Sequence, residues 1–416
     1  MPAKSSLFNP VSGGVAAPQG FECSAIACGI KNPANLRLDL ALLYSVAPAV
    51  TAGTFTTNKV KAAPVRLCQT HLKRNDVRAV IVNSGNANAC TGPRGINDAR
   101  TMAEETAREL ELEPHQVLVG STGIIGLPMP MERITPHIPA LVEKLGRENG
   151  IAAATAIMTS DTTCKSMAIE FPLGSRTIRI GAMAKGAGMI SPSMGTMLCY
   201  VTSDVAVSQA CLEKATRMAV DNSFNRITID GDTSTNDTCI VMANGMAGNR
   251  TLKAGGPQCE TFYHALEYVM LSMAKAIVRD GERVTKFVEV NVTGAATHMD
   301  ARRVAETVAN SLLVKCSWNG GDANWGRVMH AIGYSRARIR EDEIDIYFGG
   351  QIATRHGLDA GTDPLLLREA ISGKEFTLTI DLNIGEASYT VYTSDLSQEY
   401  VDFNRTEYAV PVPGKA

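Results

Sequence analysis

Lys185-Gly-Ala-Gly-Met-Ile-Ser-Pro-Ser-Met-Gly-Thr-Met-Leu198 stands near the middle of a 416-residue chain. A polar, glycine-loosened segment stops at Gly195, and a β-like run, Thr196-Met-Leu-Cys-Tyr-Val-Thr202, follows at once. A threonine opening a strand is ordinarily just a β-former. The residue before it changes that reading. Gly195 has no side chain, so its carbonyl is open to approach and its peptide is distorted at low cost. A Thr196 hydroxyl that attacks this carbonyl cuts the chain and frees an α-amine beside itself, a self-contained nucleophile and base. Such an amine titrates near about 7.7–8.0, which suits proton transfer at neutral pH. On this reading the chain is a precursor of two fragments, 1–195 and 196–416.

Composition narrows the class. The chain is 45% hydrophobic and 20% charged, enough for a large globular core. A net charge of -2 offers no basic surface for nucleic acid. No run of apolar residues is long enough to span a membrane, and the first residues lack the apolar stretch of a secretory signal, so a cytoplasmic location is expected. The ten cysteines contain no C-x-x-C pair and read as reduced thiols filling small core sites. The seven histidines form no H-x-x-x-H pair. Asp230-Gly-Asp-Thr-Ser-Thr-Asn-Asp237 fails as a calcium loop, with Thr235 where glycine is needed and Val241 where glutamate is needed. Neither a metal nor an organic cofactor is expected.

Hydrophobic periodicity supplies the elements. Residues 36–50 and 77–83 read as strands, and 165–180 as a hairpin turning at Leu-Gly-Ser. Helices are expected from a cap at Asn97 to Glu111, over 130–148, from a cap at Ser208 to about Ser223, over 260–278, from a cap at Asp300 to Val314, and over 363–372. Further strands are expected at 226–230, 286–292 and 343–348, with 375–383 and 387–393 paired to each other. Helices and strands mix throughout, which predicts an α/β fold of layered, largely antiparallel sheets covered by helices. Phe262, Leu266, Val269, Met270 and Met273 recur at helical spacing and are assigned to the core.

Several segments carry polar or backbone groups fit for chemistry. Ser121-Thr122-Gly123-Ile-Ile-Gly126 follows the apolar run Val117-Leu-Val. It reads as an ordinary turn, or as an oxyanion hole built from backbone N–H groups. Asn83-Ser-Gly-Asn-Ala-Asn-Ala-Cys-Thr-Gly92 reads as a scaffold of turns or as a substrate-lining loop. Lys185 reads either as a solvated lysine or as a cation aimed at an anionic substrate.

Taken in order, these segments resemble the ornithine acetyltransferase family of arginine biosynthesis, also called glutamate N-acetyltransferases. The resemblance rests on KGAGMISPSMGTML (185–198), TAGTFTTNKVKAAPV (51–65), NSGNANACTG (83–92), STGIIG (121–126), DGDTSTND (230–237), DGE (280–282) and GGDANWGR (320–327). It implies a layered fold similar to N-terminal-nucleophile hydrolases. It implies cleavage of Gly195–Thr196, with Thr196 as nucleophile and Thr122 and Gly123 as the oxyanion hole. Thr162, Lys185, Thr196, Glu282 and Asn404 would contact substrate. The implied reaction is ping-pong transfer of acetyl from N2-acetylornithine to L-glutamate through acetyl-Thr196, without a cofactor and with acetyl-CoA open as a donor. The two fragments would stay together as α2β2. Three positions depart from the family pattern: Gly195 replaces alanine, Arg283-Val284 follows DGE, and Ala409 stands where a hydroxyl residue is expected five places after Asn404. The alternatives are a self-cleaving aminopeptidase or amidase, and a non-catalytic paralogue that binds an amino acid.

Overall fold

Leu40-Ala-Leu-Leu43 sends alternate side chains into two different cores, as the period of a strand requires. The computed structural model describes residues 8–34, 36–191 and 197–406. Two compact units are formed, one from 8–186, 197–225 and 233–277, the other from 187–191, 226–232 and 278–406. The first unit takes chain from both sides of the expected cut. Gly195 and Thr196 themselves lie outside the described residues.

The strands of the first unit are β1 (Asn9–Pro10), β2 (Phe21–Ile26), β3 (Leu40–Phe55), β4 (Val77–Asn86), β5 (Val117–Ile124), β6 (Lys165–Leu173), β7 (Arg176–Lys185), β8 (Leu198–Ser203) and β9 (Thr238–Ala243). They run in the order β1-β6-β7-β8-β9-β3-β4-β5, with β2 also on β3. Strand β3 serves both halves of this path. Its residues 40–44 lie between β2 and β4, and its residues 50–55 pair with β9. The register shifts between Tyr44 and Ala49, where Pro48 has no N–H to donate. The two halves stack as layers. Ala41, Leu43, Val80, Val82 and Leu118 share a core with Met183, Leu198, Tyr200, Ile240 and Met242.

The helices of this unit are α1 (Ala63–His71), α2 (Gly92–Glu109), α3 (Met131–Ile134), α4 (Ile138–Glu143), α5 (Gly150–Ala156), α6 (Gln209–Asp221) and most of α7 (Pro257–Arg279). Leu40, Leu42, Ile81 and Val119 face Met102 and Ala103 of α2 and Ile138 and Leu141 of α4. Helix α6 packs on β3. The layered α/β expectation is therefore met.

The second unit has β10 (Phe287–Ala295), β11 (Asp345–Phe348), β12 (Gln351–Arg355), β13 (Leu358–Asp359), β14 (Glu375–Asp381) and β15 (Ala387–Ser394), in the order β13-β12-β11-β14-β10-β15. Its helices are α8 (His298–Asn310), α9 (Leu312–Asn319), α10 (Trp325–Gly333), α11 (Pro364–Ala370) and α12 (Gln398–Thr406). Val288, Val290 and Val292 alternate into a core with Val304 and Val308 of α8 and Trp318 of α9.

Local expectations fail where tertiary or capping chemistry overrides periodicity. The helix expected from Asn97 begins at Gly92, with Thr91 at the cap and Pro93 in the first turn, where its missing N–H costs nothing. The helix expected over 130–148 is broken into α3, α4 and short 3-10 turns, because Pro136, Pro139 and Gly146 interrupt it. Thr297, not Asp300, caps α8, its hydroxyl accepting the Asp300 N–H at 3.1 Å. Ser311 ends α8 early because its hydroxyl caps α9. Residues 226–230 form no strand, only a bridge from Ile227 to Tyr392. The turn read at 121–126 starts later, since β5 continues to Ile124 beside β4. Strands β14 and β15 are not partners, for β10 lies between them, parallel to the first and antiparallel to the second. Cys211 and Cys259 form a disulfide, which corrects the reduced-thiol reading for that pair; the other eight cysteines are free.

Candidate active site

In the first unit, Lys185 is the last residue of β7 and pairs with Leu198 of β8. Leu198 is two residues beyond Thr196 in the chain. The solvated reading of Lys185 is excluded, because the residue is only 2% exposed. Its Nζ donates to the Thr159 hydroxyl at 2.6 Å and lies 3.6 Å from Asp161 Oδ2. The same carboxylate takes the Lys165 ammonium at 2.7 Å and the Gly186 N–H at 2.7 Å. Burial alone would raise the Asp161 pKa, but the Lys185 and Lys165 charges and the Gly186 N–H outweigh it and hold the acid well below its usual range. Thr162 follows in the same loop and is exposed.

Residues 51–65, 83–92, 121–126 and 233–237 of this unit are tied together. Asn236 donates its carboxamide N–H groups to Ala87 O at 2.6 Å and Ser121 O at 2.8 Å. Ala62 N–H donates to Thr235 O at 3.0 Å, and the Thr56 hydroxyl donates to Ser234 O at 2.6 Å. Thr122 and Gly123 sit on β5 opposite Ser84 and Gly85 of β4. Gly123 is at φ +131, and a Cβ there would stand 2.3 Å from the Gly85 carbonyl carbon. Only glycine fits that backbone. Asp237 Oδ1 accepts the Met197 N–H at 3.0 Å. Burial pushes the Asp237 pKa well up, against the lowering by the Met197 N–H and by the charge of Lys185.

The second unit holds its own group. Glu282 is buried, its backbone N–H donating to Ala187 O at 2.8 Å, and Asn404 of α12 donates to Glu282 Oε2 at 3.1 Å. A Cβ on Gly188 would lie 2.6 Å from the Glu282 carboxyl carbon, so glycine lets the loop pass over this acid. Asp230 accepts the N–H groups of Met189 and Ile190 at 2.6 and 2.9 Å and the Tyr400 hydroxyl at 3.3 Å. Burial lifts its pKa to about 6.

Within the first unit, then, Lys185, Thr122 and Gly123 belong to a bonded framework that reaches Met197. Within the second, Glu282 and Asn404 touch directly. Sequence reading passed over Asp161, Lys165, Asn236 and Asp237. The available signals were slight: the i,i+4 spacing of Asp161 and Lys165, and a 230–237 segment dense in carboxylates that binds no calcium by pattern. Among the described residues, no three histidine, cysteine, aspartate or glutamate side chains gather as a metal site would require. No helix among them is long and apolar enough to cross a membrane.

Comparison with known proteins gives these groups a context. The sequence profile of the ArgJ family matches residues 22–409. The arginine biosynthesis bifunctional protein ArgJ of Geobacter sulfurreducens is 50% identical over 387 residues, covering 93% of this chain and 98% of that protein. The protein of the same name from Bacillus subtilis is 40% identical over 395 residues, covering 95% and 96%. Among solved structures, the ornithine acetyltransferase of Mycobacterium tuberculosis complexed with ornithine is 39% identical, covers 46% of this chain and 100% of that chain, and superposes with a TM-score of 0.41. By the extent of the profile match and by these identities, the chain belongs to the ArgJ family.

Proposed function

We propose that the chain cuts itself between Gly195 and Thr196 and then carries acetyl from N2-acetylornithine to L-glutamate on the Thr196 oxygen. Family membership makes it an acyltransferase enzyme of arginine biosynthesis. The observation that supports the finer reading is the buried Lys185. It is a cation buried beside Asp161, on the strand paired to the one that follows Thr196. Such a charge calls for the carboxylate of an amino-acid substrate.

Maturation is an N→O acyl shift. The Thr196 oxygen bonds to the Gly195 carbonyl carbon, the C–N bond breaks, and the hydroxyl proton ends on nitrogen. Water then adds to the ester carbon, the C–O bond to Thr196 breaks, and a proton returns to that oxygen. The free Thr196 amine next takes the hydroxyl proton as the oxygen attacks the acetyl carbonyl of acetylornithine. Thr122 and Gly123 stabilise the oxyanion, at about 3–4 kcal/mol per donor. The C–N bond breaks, and ornithine leaves with the proton. The glutamate amine attacks the acetyl ester, the Thr196 oxygen departs and is reprotonated, and N-acetylglutamate is released. Lys185 takes the substrate carboxylate, and Thr162 lines the same site. No cofactor enters the cycle. The two fragments remain together as α2β2 in the cytoplasm.

Purified protein is expected to run as two fragments on a denaturing gel, the second beginning Thr-Met-Leu on N-terminal sequencing. Acetylornithine plus glutamate is expected to yield ornithine and N-acetylglutamate in equal amounts, and acetyl-CoA is tested as donor in the same assay. A folded chain that stays whole, or ornithine release that glutamate does not accelerate, contradicts the reading.

A further inference from the structure

Helix α6 lays a polar stripe along the open edge of β3. Residues 51–55 of β3 pair with β9 on one side, and no strand among the described residues pairs with them on the other. The Thr51 carbonyl on that edge accepts a Gln209 carboxamide N–H at 3.0 Å. Strand alternation puts the Gly53 N–H and C=O on the same edge. Gln209, Glu213, Thr216 and Arg217 recur at helical spacing and, with Thr54 and Leu72, line a cavity of about 260 Å³. All of them lie in the first unit, and none belongs to the groups around Lys185. Three polar atoms of these lining residues are buried without a hydrogen-bond partner among the described residues: Thr54 Oγ1, Gln209 Oε1 and Thr216 Oγ1. Thr216 is only 1% exposed. Buried polar groups are ordinarily paired, so three orphans around one cavity point to a ligand that supplies their partners. The charges point the same way. Glu213 and Arg217 stand at i and i+4, the spacing and order that favour an ion pair, yet among the described residues none joins them. The Glu213 carboxylate accepts from the Gln209 carboxamide instead, at 2.8 Å.

We propose that this cavity binds a small free amino acid with an uncharged side chain. Acceptors and donors follow one another along α6 in the order such a molecule needs. Gln209 Oε1 and the Glu213 carboxylate accept from its ammonium group. One helical turn on, about 5 Å along the axis, the Thr216 hydroxyl and the Arg217 guanidinium donate to its carboxylate. The two ends of the molecule thus meet opposite charges that the chain leaves unjoined. The Thr54 hydroxyl supplies a further donor. Leu72 offers the side chain an apolar surface, and no third charged residue lines the cavity to pair with a charged one. Binding of this kind needs no chemistry at Thr196, so it stands apart from self-cleavage and acetyl transfer.

Isothermal titration of the full-length protein with L-alanine and L-valine tests this, and one saturable site per chain is expected. Isobutylamine and isovalerate, which are valine without its carboxylate and without its ammonium, should bind about tenfold or more weakly, as loss of hydrogen bonds between charged groups implies. Glu213 and Arg217 are exposed, so Glu213→Gln and Arg217→Met are expected to keep the fold, which thermal melts check. Both should weaken valine binding about tenfold or more, and both should leave kcat and KM for acetylornithine as in the wild type. Saturating acetylornithine should leave valine binding intact. Absence of saturable binding by either amino acid overturns the inference. So does binding of isobutylamine or isovalerate as tight as that of valine, or wild-type affinity in the two variants. Valine binding that acetylornithine displaces, or that Lys185→Met abolishes, places the amino acid at the candidate active site and overturns the inference as well.

Discussion

Lys185 Nζ and Asp161 Oδ2 lie 3.6 Å apart, and the two side chains are 3% and 0% exposed. Neither charge is tolerable there alone. The Lys165 ammonium on Asp161 Oδ1 completes the group, at 2.7 Å. Asp161→Asn removes the carboxylate that both lysines contact, and loss of one partner from such a group costs about 3–5 kcal/mol of stability. Asp161→Asn is expected to unfold at lower denaturant concentration than the wild type, and denaturant titrations of both proteins check it.

Lys185→Met keeps the length of the buried stem and removes the charge. The fold is expected to survive, because Asp161 retains Lys165 and the Gly186 N–H. The KM for acetylornithine should rise about tenfold or more, the worth of a hydrogen bond to a charged group. Steady-state kinetics beside a melting curve separates this from unfolding.

Gly123→Ala tests the backbone beside Thr122. Its Cβ would meet the Gly85 carbonyl carbon at 2.3 Å and Asn86 N at 2.6 Å, at a φ of +131. Strand β5 must shift away from β4, moving Thr122 with it. A drop in kcat of about a hundredfold, the size of one lost oxyanion donor, is expected at little change in KM.

Lys315 gives the second unit a pH signature. Burial pushes its pKa down to about 8 from 10.5, against the opposing charges of Asp395 and Asp230. Its ammonium donates to the Ser394 carbonyl and to the Thr393 hydroxyl at 3.1 Å. Between pH 8 and 10.5 the unfolded chain holds a proton that the folded chain has released. Stability from this group therefore rises with pH across that window, by up to about 1.4 kcal/mol per pH unit. The stability of the wild type minus that of Lys315→Met, from denaturant titrations, is expected to climb across the window; a flat difference contradicts the assignment.

The Cys211–Cys259 disulfide lies wholly on the C-terminal side of residue 196. The two fragments should therefore separate on a denaturing gel without reductant. Reduction should alter the migration of the 196–416 fragment alone.

Local physics made much of this molecule readable from its residues. The apolar run Leu40-Ala-Leu-Leu43 falls in the 36–50 stretch that reads as a strand, and all four residues are buried. The helical spacing of Phe262, Leu266, Val269 and Met270 marked a buried helix, and all four are fully buried. Immediately after β6, the 174–175 turn closes its hairpin with β7 where it was expected. These features depend on neighbours a few places apart, so periodicity and turn chemistry suffice. Helix boundaries were less legible, because the hydroxyls of Thr297 and Ser311 act as caps in ways that periodicity ignores.

Residue types by themselves pointed to the α/β layering and to Thr196 and Lys185 as chemical groups, and the family resemblance added Glu282. Only the tertiary structure decided what surrounds Lys185 and Glu282. It buried Lys185 against an aspartate 24 residues upstream, set β10 between β14 and β15, and turned the acids of 230–237 from an apparent cation loop into backbone anchors. The cost of burying a charge and the pairing of a strand are both settled by partners distant in the chain. No local pattern names those partners, because only the folded backbone brings them within hydrogen-bond reach.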